Sequence, residues 1–161
     1  MKVEKLNHVV VYVKDLEKAV KRFSDVLGTR FVGPIDKRKS KTGRALPFRV
    51  AFDMLGLEMI SPTEPNTGEW IPQEYYDKYG EGLIHLTFKV DNIEEAIKEF
   101  EAKGVKMINR GSGISDLNGA LFSPETMHGV MIELLQYDAV PYQAIGNQDK
   151  SVLADTPWFE D

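Results

Sequence analysis

The chain has 161 residues, of which 42% are hydrophobic and 28% are charged, as in one ordinary globular domain that buries a sizeable core. Its 20 Lys and Arg against 25 Asp and Glu leave a formal charge of −5, which argues against nucleic acid as the main partner because phosphate binding relies on a basic excess. Cysteine is absent, which excludes disulfides and thiol nucleophiles, and residues 1–15 contain no apolar run long enough for a signal peptide or a membrane span, so we expect a cytoplasmic protein without a membrane partner.

The first predicted unit, module one, covers residues 1–62. Residues 6–13 are rich in Val and Tyr and predict a strand, and Asp15 follows where a helix N-cap is expected. Apolar residues then recur at helical spacing up to Gly28, which is placed to end the helix. Three shorter apolar runs follow, near 29–33, 47–52 and 56–61. The pattern is therefore strand–helix–strand–strand–strand, or βαβββ.

A connector over residues 63–82, punctuated by Pro and Gly, leads to a second unit, module two, over residues 83–137. Module two has a predicted strand over 84–90, a helix with Asn92 as its N-cap and Gly104 at its end, and three further runs near 105–109, 118–123 and 129–136. The remaining segment, 138–161, is a polar C-terminal tail whose role the sequence leaves open.

The two modules are copies of one another. At a shift of 77 positions His8 falls on His85, and five other residues match without a gap: Val13 with Val90, Glu17 with Glu94, Ala19 with Ala96, Lys21 with Lys98, and Phe23 with Phe100. So many matches at one offset indicate a duplication. The predicted fold class is therefore α+β, built from two tandem βαβββ modules.

Strand alternation gives the two histidines a distinctive position. Side chains on a strand point alternately to its two faces, so Leu86 and Phe88 are expected under the helix while His85 and Thr87 lie on the opposite, uncovered face. His8 has the equivalent position in module one. Modules related by an approximate two-fold axis would bring equivalent residues together, and a metal ion at that axis needs equivalent ligands from each half.

Two acids complete a candidate ligand set. Glu58 stands in LGLEMISP and Glu133 in GVMIELLQY, 75 positions apart, each inside an apolar strand where an ionised carboxylate is costly unless it is paired or bound to a cation. The alternative is that both face solvent on edge strands. Two imidazoles and two carboxylates suit one divalent ion such as zinc, nickel, cobalt or manganese rather than calcium, and the sequence does not select among the four metals.

The segments HVVVYVKDLEKAVKRFSDVLG, LEMISP, GLIHLTFKVDNIEEAIKEFEAKGV and LFSPETMHGVMIELLQY, within residues 5–137, resemble the vicinal-oxygen-chelate superfamily of glyoxalases, epimerases, extradiol dioxygenases and resistance proteins. The resemblance is greatest to the methylmalonyl-CoA epimerases. It implies an incomplete barrel around a metal site, usually in a homodimer, with His8, Glu58, His85 and Glu133 as the metal ligands. Glu58, as a fourth ligand, weighs against dioxygenase chemistry, which uses three.

The resemblance implies a divalent-metal-dependent isomerase or epimerase that abstracts a proton alpha to a carbonyl through a metal-stabilised enolate, with methylmalonyl-CoA or a related acyl-CoA as substrate. Two alternatives stay open: a glyoxalase I-like lactoylglutathione lyase, and a non-catalytic ligand-binding protein of the resistance type. In the glyoxalase-like interpretation Glu133 or Glu58 is the catalytic base. The epimerase-like interpretation needs separate acids, of which Asp53 is the nearest in module one; the alternative is that Asp53 forms a turn.

Substrate contacts are predicted at two places. Lys37, Arg38 and Lys39 belong to a basic loop that could form a phosphate-binding rim for a CoA thioester, although a solvated loop explains them equally well. Thr87, on the same strand face as His85, is assigned to substrate contact. His128 lies in a predicted turn and is not expected to be a ligand.

Overall fold

A computed structural model of the protein describes residues 1–35, 48–53, 55–62, 71–111 and 118–136. In these ranges the chain forms eight strands, three α-helices and a 3₁₀ turn at Pro124–Thr126. In chain order the elements are β1 (Val3–Tyr12), α1 (Leu16–Leu27), β2 (Phe31–Ile35), β3 (Phe48–Asp53), β4 (Leu57–Pro62), α2 (Gln73–Tyr79), β5 (Gly82–Val90), α3 (Ile93–Ala102), β6 (Met107–Arg110), β7 (Asn118–Phe122) and β8 (Met131–Gln136).

The strands form one mixed sheet in the order β2-β3-β4-β1-β5-β8-β7-β6. At its centre β1 and β5 pair antiparallel, and each has a parallel neighbour on its outer side, β4 next to β1 and β8 next to β5. The second half of the sheet therefore repeats the first in reverse order, and the sheet is open rather than closed into a barrel. This confirms the predicted α+β fold of two βαβββ modules in an incomplete barrel.

The predicted helix starts are confirmed in both copies and the predicted end in α1, whereas α3 has Lys103 as its C-cap and Gly104 follows it at φ +78°. Asp15 Oδ1 accepts a hydrogen bond from the Lys18 amide at 2.9 Å, and Asn92 Oδ1 accepts one from the Glu95 amide at 3.1 Å. Gly28 ends α1 in the left-handed region at φ +67°, a conformation that a residue without a Cβ adopts at little cost. The duplicated sequence thus starts each helix with the same local chemistry.

One face of the sheet is covered by α1 and α3. Helix α1 packs on module one through a buried cluster that contains Val13, Leu16 and Met59. Helix α3 packs on module two through a cluster that contains Ile93 and Phe122. These two clusters hold the helices against the sheet, which leaves its other face for the histidines.

The opposite face, called the site face below, carries His8 and Tyr12 of β1 and His85 of β5. Sequence alternation predicts this face to be uncovered, and that prediction is wrong for part of it. Helix α2, inside the connector, packs there through Tyr75 and Tyr76, which join an apolar cluster with Tyr12. The rings of Tyr12 and Tyr76 lie 4.5 Å apart between centroids. Among the described residues, no helix has the length and apolar character needed to cross a membrane.

Candidate metal centre

The pairing of β1 with β5 brings the two histidines to the middle of the site face. His8 lies opposite Thr87 in the register, and Val10 lies opposite His85. Because Val10 and Thr87 are also equivalent under the 77-residue shift, the two pairs are related by the internal symmetry of the chain. The rings of His8 and His85 are 6.2 Å apart between centroids.

The two glutamates are delivered by the parallel neighbours of these strands. Glu58 of β4 lies opposite Val10, and Glu133 of β8 lies opposite Thr87. Gly56 starts the turn into β4 at φ +95°, and a Cβ added there would lie 3.4 Å from the Asn7 carbonyl oxygen. A glycine therefore lets the chain pass close to β1 and enter the strand that carries Glu58.

Three of the four predicted ligands form a compact group. The Nε2 atoms of His8 and His85 lie 3.7 Å and 3.5 Å from Oε2 of Glu133, and the three ligand atoms are all within 4.8 Å of one another. Glu58 lies outside this mutually close group, although its Oε2 is 3.6 Å from Nε2 of His8. All four side chains are buried, with residue exposures between 3% and 6%.

The environment of Glu133 favours its ionised form. Burial by itself raises the pKa of this carboxyl, but a hydrogen bond from His85, the charges of His85 and His8 and a hydrogen bond from Thr87 lower it by more, so the net pKa lies below its ordinary value. The Thr87 hydroxyl donates to Oε2 of Glu133 at 2.7 Å. A carboxylate held ionised in a buried site is the form that binds a metal ion.

The donor chemistry fits a divalent cation. Two imidazole nitrogens and the Glu133 carboxylate converge here with Glu58 beside His8, and the buried residues of the described ranges include no Lys or Arg that could neutralise the acids. Nδ1 of His85 is the one buried side-chain polar atom of those ranges without a hydrogen-bond partner. His8, His85 and Glu133, with Glu58 beside His8, are the residues that would hold the ion. A mixed nitrogen and oxygen shell is compatible with several transition metals.

Other predicted site residues have varied positions. Thr87 is fully buried, and its hydroxyl is 3.0 Å from Nε2 of His8 in addition to its bond to Glu133. Lys37, Arg38 and Lys39 lie outside the described residues. His128 is exposed in a turn at φ +55°, as expected of a residue that is not a ligand.

Asp53, the nearest acid proposed for the epimerase-like base, has a structural role instead. It is paired with Phe31, which belongs to the cluster under α1, so its side chain is on the face away from the histidines. Its Oδ1 accepts hydrogen bonds from the amides of Leu55 and Leu57, both at 2.9 Å, and its Oδ2 accepts one from the Thr29 hydroxyl at 2.8 Å. These bonds anchor the β3–β4 turn.

One residue of the site could not be found by sequence reasoning. Asn7 Oδ1 lies 2.7 Å from Nδ1 of His8, although alternation would direct neighbouring side chains to opposite faces. The cause is a bulge, because β1 advances two residues from Leu6 to His8 while β5 advances one, from Phe88 to Thr87. No signal in the sequence marks this bulge.

The family comparison agrees with this architecture. Residues 7–122 match the family model of the Glyoxalase/Bleomycin resistance protein/Dioxygenase superfamily. The match covers more than half of the chain, and the chain belongs to this superfamily.

Relatives within the superfamily include two kinds of enzyme. The mitochondrial methylmalonyl-CoA epimerase of Mus musculus is 31% identical over 145 residues, which cover 84% of this chain and 74% of that protein. A probable lactoylglutathione lyase of Synechocystis is 25% identical over 131 residues, covering 81% and 94% of the two chains. The structure of Streptomyces coelicolor methylmalonyl-CoA epimerase in complex with 2-nitronate-propionyl-CoA matches with a TM-score of 0.65 at 19% identity, over 86% of this chain and all of that one, which shows a shared fold.

Proposed function

We propose that this protein is a divalent-metal-dependent isomerase or epimerase that removes and returns the proton alpha to a carbonyl, with methylmalonyl-CoA or a related acyl-CoA as its substrate. The observation that carries the proposal is the buried group of His8, His85 and Glu133 on the two central strands and β8, with Glu58 next to His8. The substrate class is inferred from the relatives, among which methylmalonyl-CoA epimerases recur.

The reaction requires two functions of the site, stabilisation of negative charge and proton transfer. A divalent ion, when bound, supplies Lewis-acid stabilisation of the negative charge that develops on the carbonyl oxygen. A carboxylate must accept the proton as the carbon–hydrogen bond breaks and its electron pair moves into the carbonyl group to form an enolate, and the same carboxylate or another must return a proton to that carbon. The buried surroundings of Glu58 and Glu133 exclude bulk water, which keeps the transferred proton in the site.

The choice of base narrows to two residues. In the described ranges the only buried acids are Asp53, Glu58 and Glu133, and Asp53 is bound to the β3–β4 turn on the opposite face. Glu58 and Glu133 are therefore the acids we propose for proton transfer. A ligand carboxylate acting as base is also what the glyoxalase-like interpretation requires, so this observation supports lactoylglutathione lyase activity as the second candidate.

A CoA thioester brings phosphate groups that need cationic partners. Lys37, Arg38 and Lys39 supply three positive charges within three residues of sequence, and we propose them as the contact for these phosphates. Replacing all three by Gln should weaken acyl-CoA binding and reduce its salt dependence, while Co²⁺ affinity stays unchanged. Equal acyl-CoA affinity and equal salt dependence in the variant and the wild type would remove these residues from the site.

Deuterium exchange tests the proposed reaction. Metal-loaded protein is incubated in heavy water with methylmalonyl-CoA, and mass spectrometry follows deuterium at the α-carbon against a protein-free control. Faster incorporation with the wild type than with either the control or His85→Ala is expected. If only the hemithioacetal of methylglyoxal and glutathione is converted, to lactoylglutathione, the second candidate holds. If neither substrate reacts, the protein is a binding member of the superfamily.

A further inference from the structure

The internal symmetry of the chain allows each ligand to be compared with its own copy. His8 corresponds to His85, and Glu58 to Glu133. The residues next to these ligands correspond as well, Val10 with Thr87 and Asn7 with Ile84. The copies differ in chemistry at both of these supporting positions, so the two halves of the site are not equally built.

The two carboxylates differ in their support. Thr87 lies opposite Glu133 in the β5–β8 register, is fully buried and donates its hydroxyl proton to Oε2 at 2.7 Å. Val10 lies opposite Glu58 in the equivalent β1–β4 register and offers no hydrogen bond from its side chain. Glu133 is therefore oriented by a neighbour that Glu58 lacks, and Glu133 rather than Glu58 joins the compact group of ligand atoms.

For the histidines, the supported copy is the one in module one, His8, rather than the one in module two, His85. Two of the three bulges of the central strand pair fall at equivalent positions, Asn7 in β1 and Ile84 in β5. At the second of these, β5 advances two residues from His85 to Leu83 while β1 advances one. The bulge at Asn7 brings its amide oxygen 2.7 Å from Nδ1 of His8. The bulge at Ile84 brings an apolar side chain, and Nδ1 of His85 is buried without a partner.

A hydrogen bond at Nδ1 matters because it selects the tautomer. When Nδ1–H donates to Asn7 Oδ1, the Nε2 atom is left as the metal-binding nitrogen and the ring orientation is held. His8 has this support in the structure, and His85 does not. Module one thus supports its histidine at Nδ1, whereas Thr87 of module two donates to Glu133 and also lies 3.0 Å from Nε2 of His8.

We propose that Asn7 and Thr87 are positioning residues that make His8 and Glu133 the fixed metal ligands, and that the apolar Val10 leaves Glu58 as the exchangeable carboxylate that detaches to accept the substrate proton. This assigns Thr87 a positioning role in place of the substrate contact predicted from sequence. The inference rests on the proposed metal site and deepens it by distinguishing the two acids.

Cobalt binding by purified variants tests the support from Thr87. Thr87→Val removes the hydroxyl at nearly constant volume, and loss of such support typically weakens metal affinity about 10- to 100-fold. We expect a rise of this size in the Co²⁺ dissociation constant by calorimetry, together with a changed visible spectrum of the bound ion. Thr87→Ser, which keeps the hydroxyl, is the matched control and should retain the wild-type spectrum. Equal dissociation constants for Thr87→Val and wild type would overturn the proposal.

A second variant, which adds a hydrogen-bond donor beside Glu58, tests the proposal even if Thr87→Val fails to fold. Val10→Thr places a hydroxyl opposite Glu58, as Thr87 does opposite Glu133. We expect tighter Co²⁺ binding and slower deuterium exchange, because Glu58 is then held as a ligand. For the histidine, Asn7→Leu should weaken Co²⁺ binding and Asn7→Asp, which keeps an acceptor oxygen, should not. Unchanged binding and exchange in both Val10→Thr and Asn7→Leu would contradict the assignment.

Replacing each acid separately by its amide distinguishes the roles of Glu58 and Glu133. Glu133→Gln is expected to lose Co²⁺ at concentrations that saturate the wild type. Glu58→Gln is expected to retain it and to lose deuterium exchange. The reverse pattern would refute the assignment. Cobalt titrations do not depend on turnover. If Thr87→Val weakens Co²⁺ binding while the wild type exchanges no substrate proton, the proposed reaction fails and the positioning roles stand. If the wild type binds no Co²⁺, both the proposed reaction and the positioning roles fail.

Discussion

At the scale of single residues, the site is defined by side chains that would be unstable where they lie without a partner. Glu58 and Glu133 are buried acids, and burial of an uncompensated carboxylate is expensive. Glu133 is compensated by His85, His8 and Thr87, which together lower its pKa against the effect of burial. Asp53 is equally buried, yet its three hydrogen bonds come from a turn and a threonine. Burial alone therefore does not distinguish a site acid from a structural one.

His85→Ala is expected to remove the metal. The substitution deletes one of the three mutually close donors and leaves only His8 and Glu133 of that group, so we expect the ion to be bound too weakly to survive desalting. Elemental analysis after loading and desalting should fall from about one metal per chain, the content of a single mononuclear site, to near zero. His128→Ala, which changes an exposed turn histidine, is the matched control and should keep full loading. Full metal content in His85→Ala would exclude His85 as a ligand.

Asp53→Ala is expected to destabilise the fold and to leave metal binding unchanged. It removes an acceptor of three hydrogen bonds, one of which comes from the amide of Leu57 at the start of the strand that carries Glu58. A fully buried donor left without a partner costs about 1–3 kcal/mol, and these three donors are partly buried, so we expect the free energy of unfolding to fall by about 2–4 kcal/mol in chemical denaturation. Deuterium exchange by folded Asp53→Ala should persist. Abolished exchange in a folded, metal-loaded variant would restore Asp53 as a candidate base.

At the scale of elements, helices α1 and α3 are each hydrogen-bonded to the sheet through an acid at the same repeat position. Glu17 at the start of α1 accepts hydrogen bonds from Arg49 of β3, and Glu94, its copy at the start of α3, accepts one from Arg110 of β6 at 2.5 Å. The acid is duplicated, whereas its arginine comes from a different strand in each module. The duplication therefore preserves the helix position but not the partner.

The Glu17–Arg49 pair gives a pH-dependent contribution to stability. The hydrogen bond from Arg49 is the main cause that lowers the pKa of Glu17 below its ordinary value of 4.5. A lowered pKa in the folded chain means that the contribution is complete above about pH 4.5 and is lost as the pH falls through the lower folded value. Because the pair is exposed, Glu17→Gln should cost at most about 1 kcal/mol at pH 7 and nothing once Glu17 is protonated.

The measurement is the free energy of unfolding of Glu17→Gln and wild type across acidic and neutral pH. Glu101→Gln, an exposed acid on α3, serves as the control and should show no such difference. A Glu17→Gln difference that persists unchanged at the acidic end would contradict the sign derived from its pKa.

At the scale of the whole molecule, the candidate metal site joins the two modules. His8 and Glu58 come from module one, and His85 and Glu133 from module two, so an ion held by them links strands from both halves across the β1–β5 pair. The homodimer and the cytoplasmic location predicted from sequence remain predictions.

Metal addition is expected to stabilise the whole domain. A ligand that binds only the folded chain contributes about 2.7 kcal/mol at 100 times its dissociation constant. For a domain of this size that corresponds to a rise in Tm of about 5–10 °C. Thermal unfolding with and without Co²⁺ measures the shift, EDTA should reverse it, and His85→Ala should lack it. A wild-type Tm that does not change with Co²⁺, Ni²⁺, Zn²⁺ or Mn²⁺ would contradict the proposal that the folded protein binds a divalent metal ion.

Much of the fold and part of the site could be predicted from sequence because their signals are local or repeated. The helix caps Asp15 and Asn92 lie beside the helices they start, and the duplication pairs His8 with His85 and Glu58 with Glu133. Helix α2 was not predicted because the connector has no second copy to compare with. The sequence leaves two roles open for Asp53, a base or a turn residue, and the hydrogen bonds from the amides of Leu55 and Leu57 favour the turn.

The duplicated sequence by itself determined two βαβββ modules and four equivalent candidate ligands, because strand and helix periodicities and caps act over a few residues. Only the tertiary structure decided that Asn7 reaches His8, that Thr87 supports Glu133, and that Glu58 stands apart from the compact group. Those facts depend on two bulges and on the register of β1, β5 and their neighbours. Register is set by contacts between residues far apart in the chain, which no local pattern records.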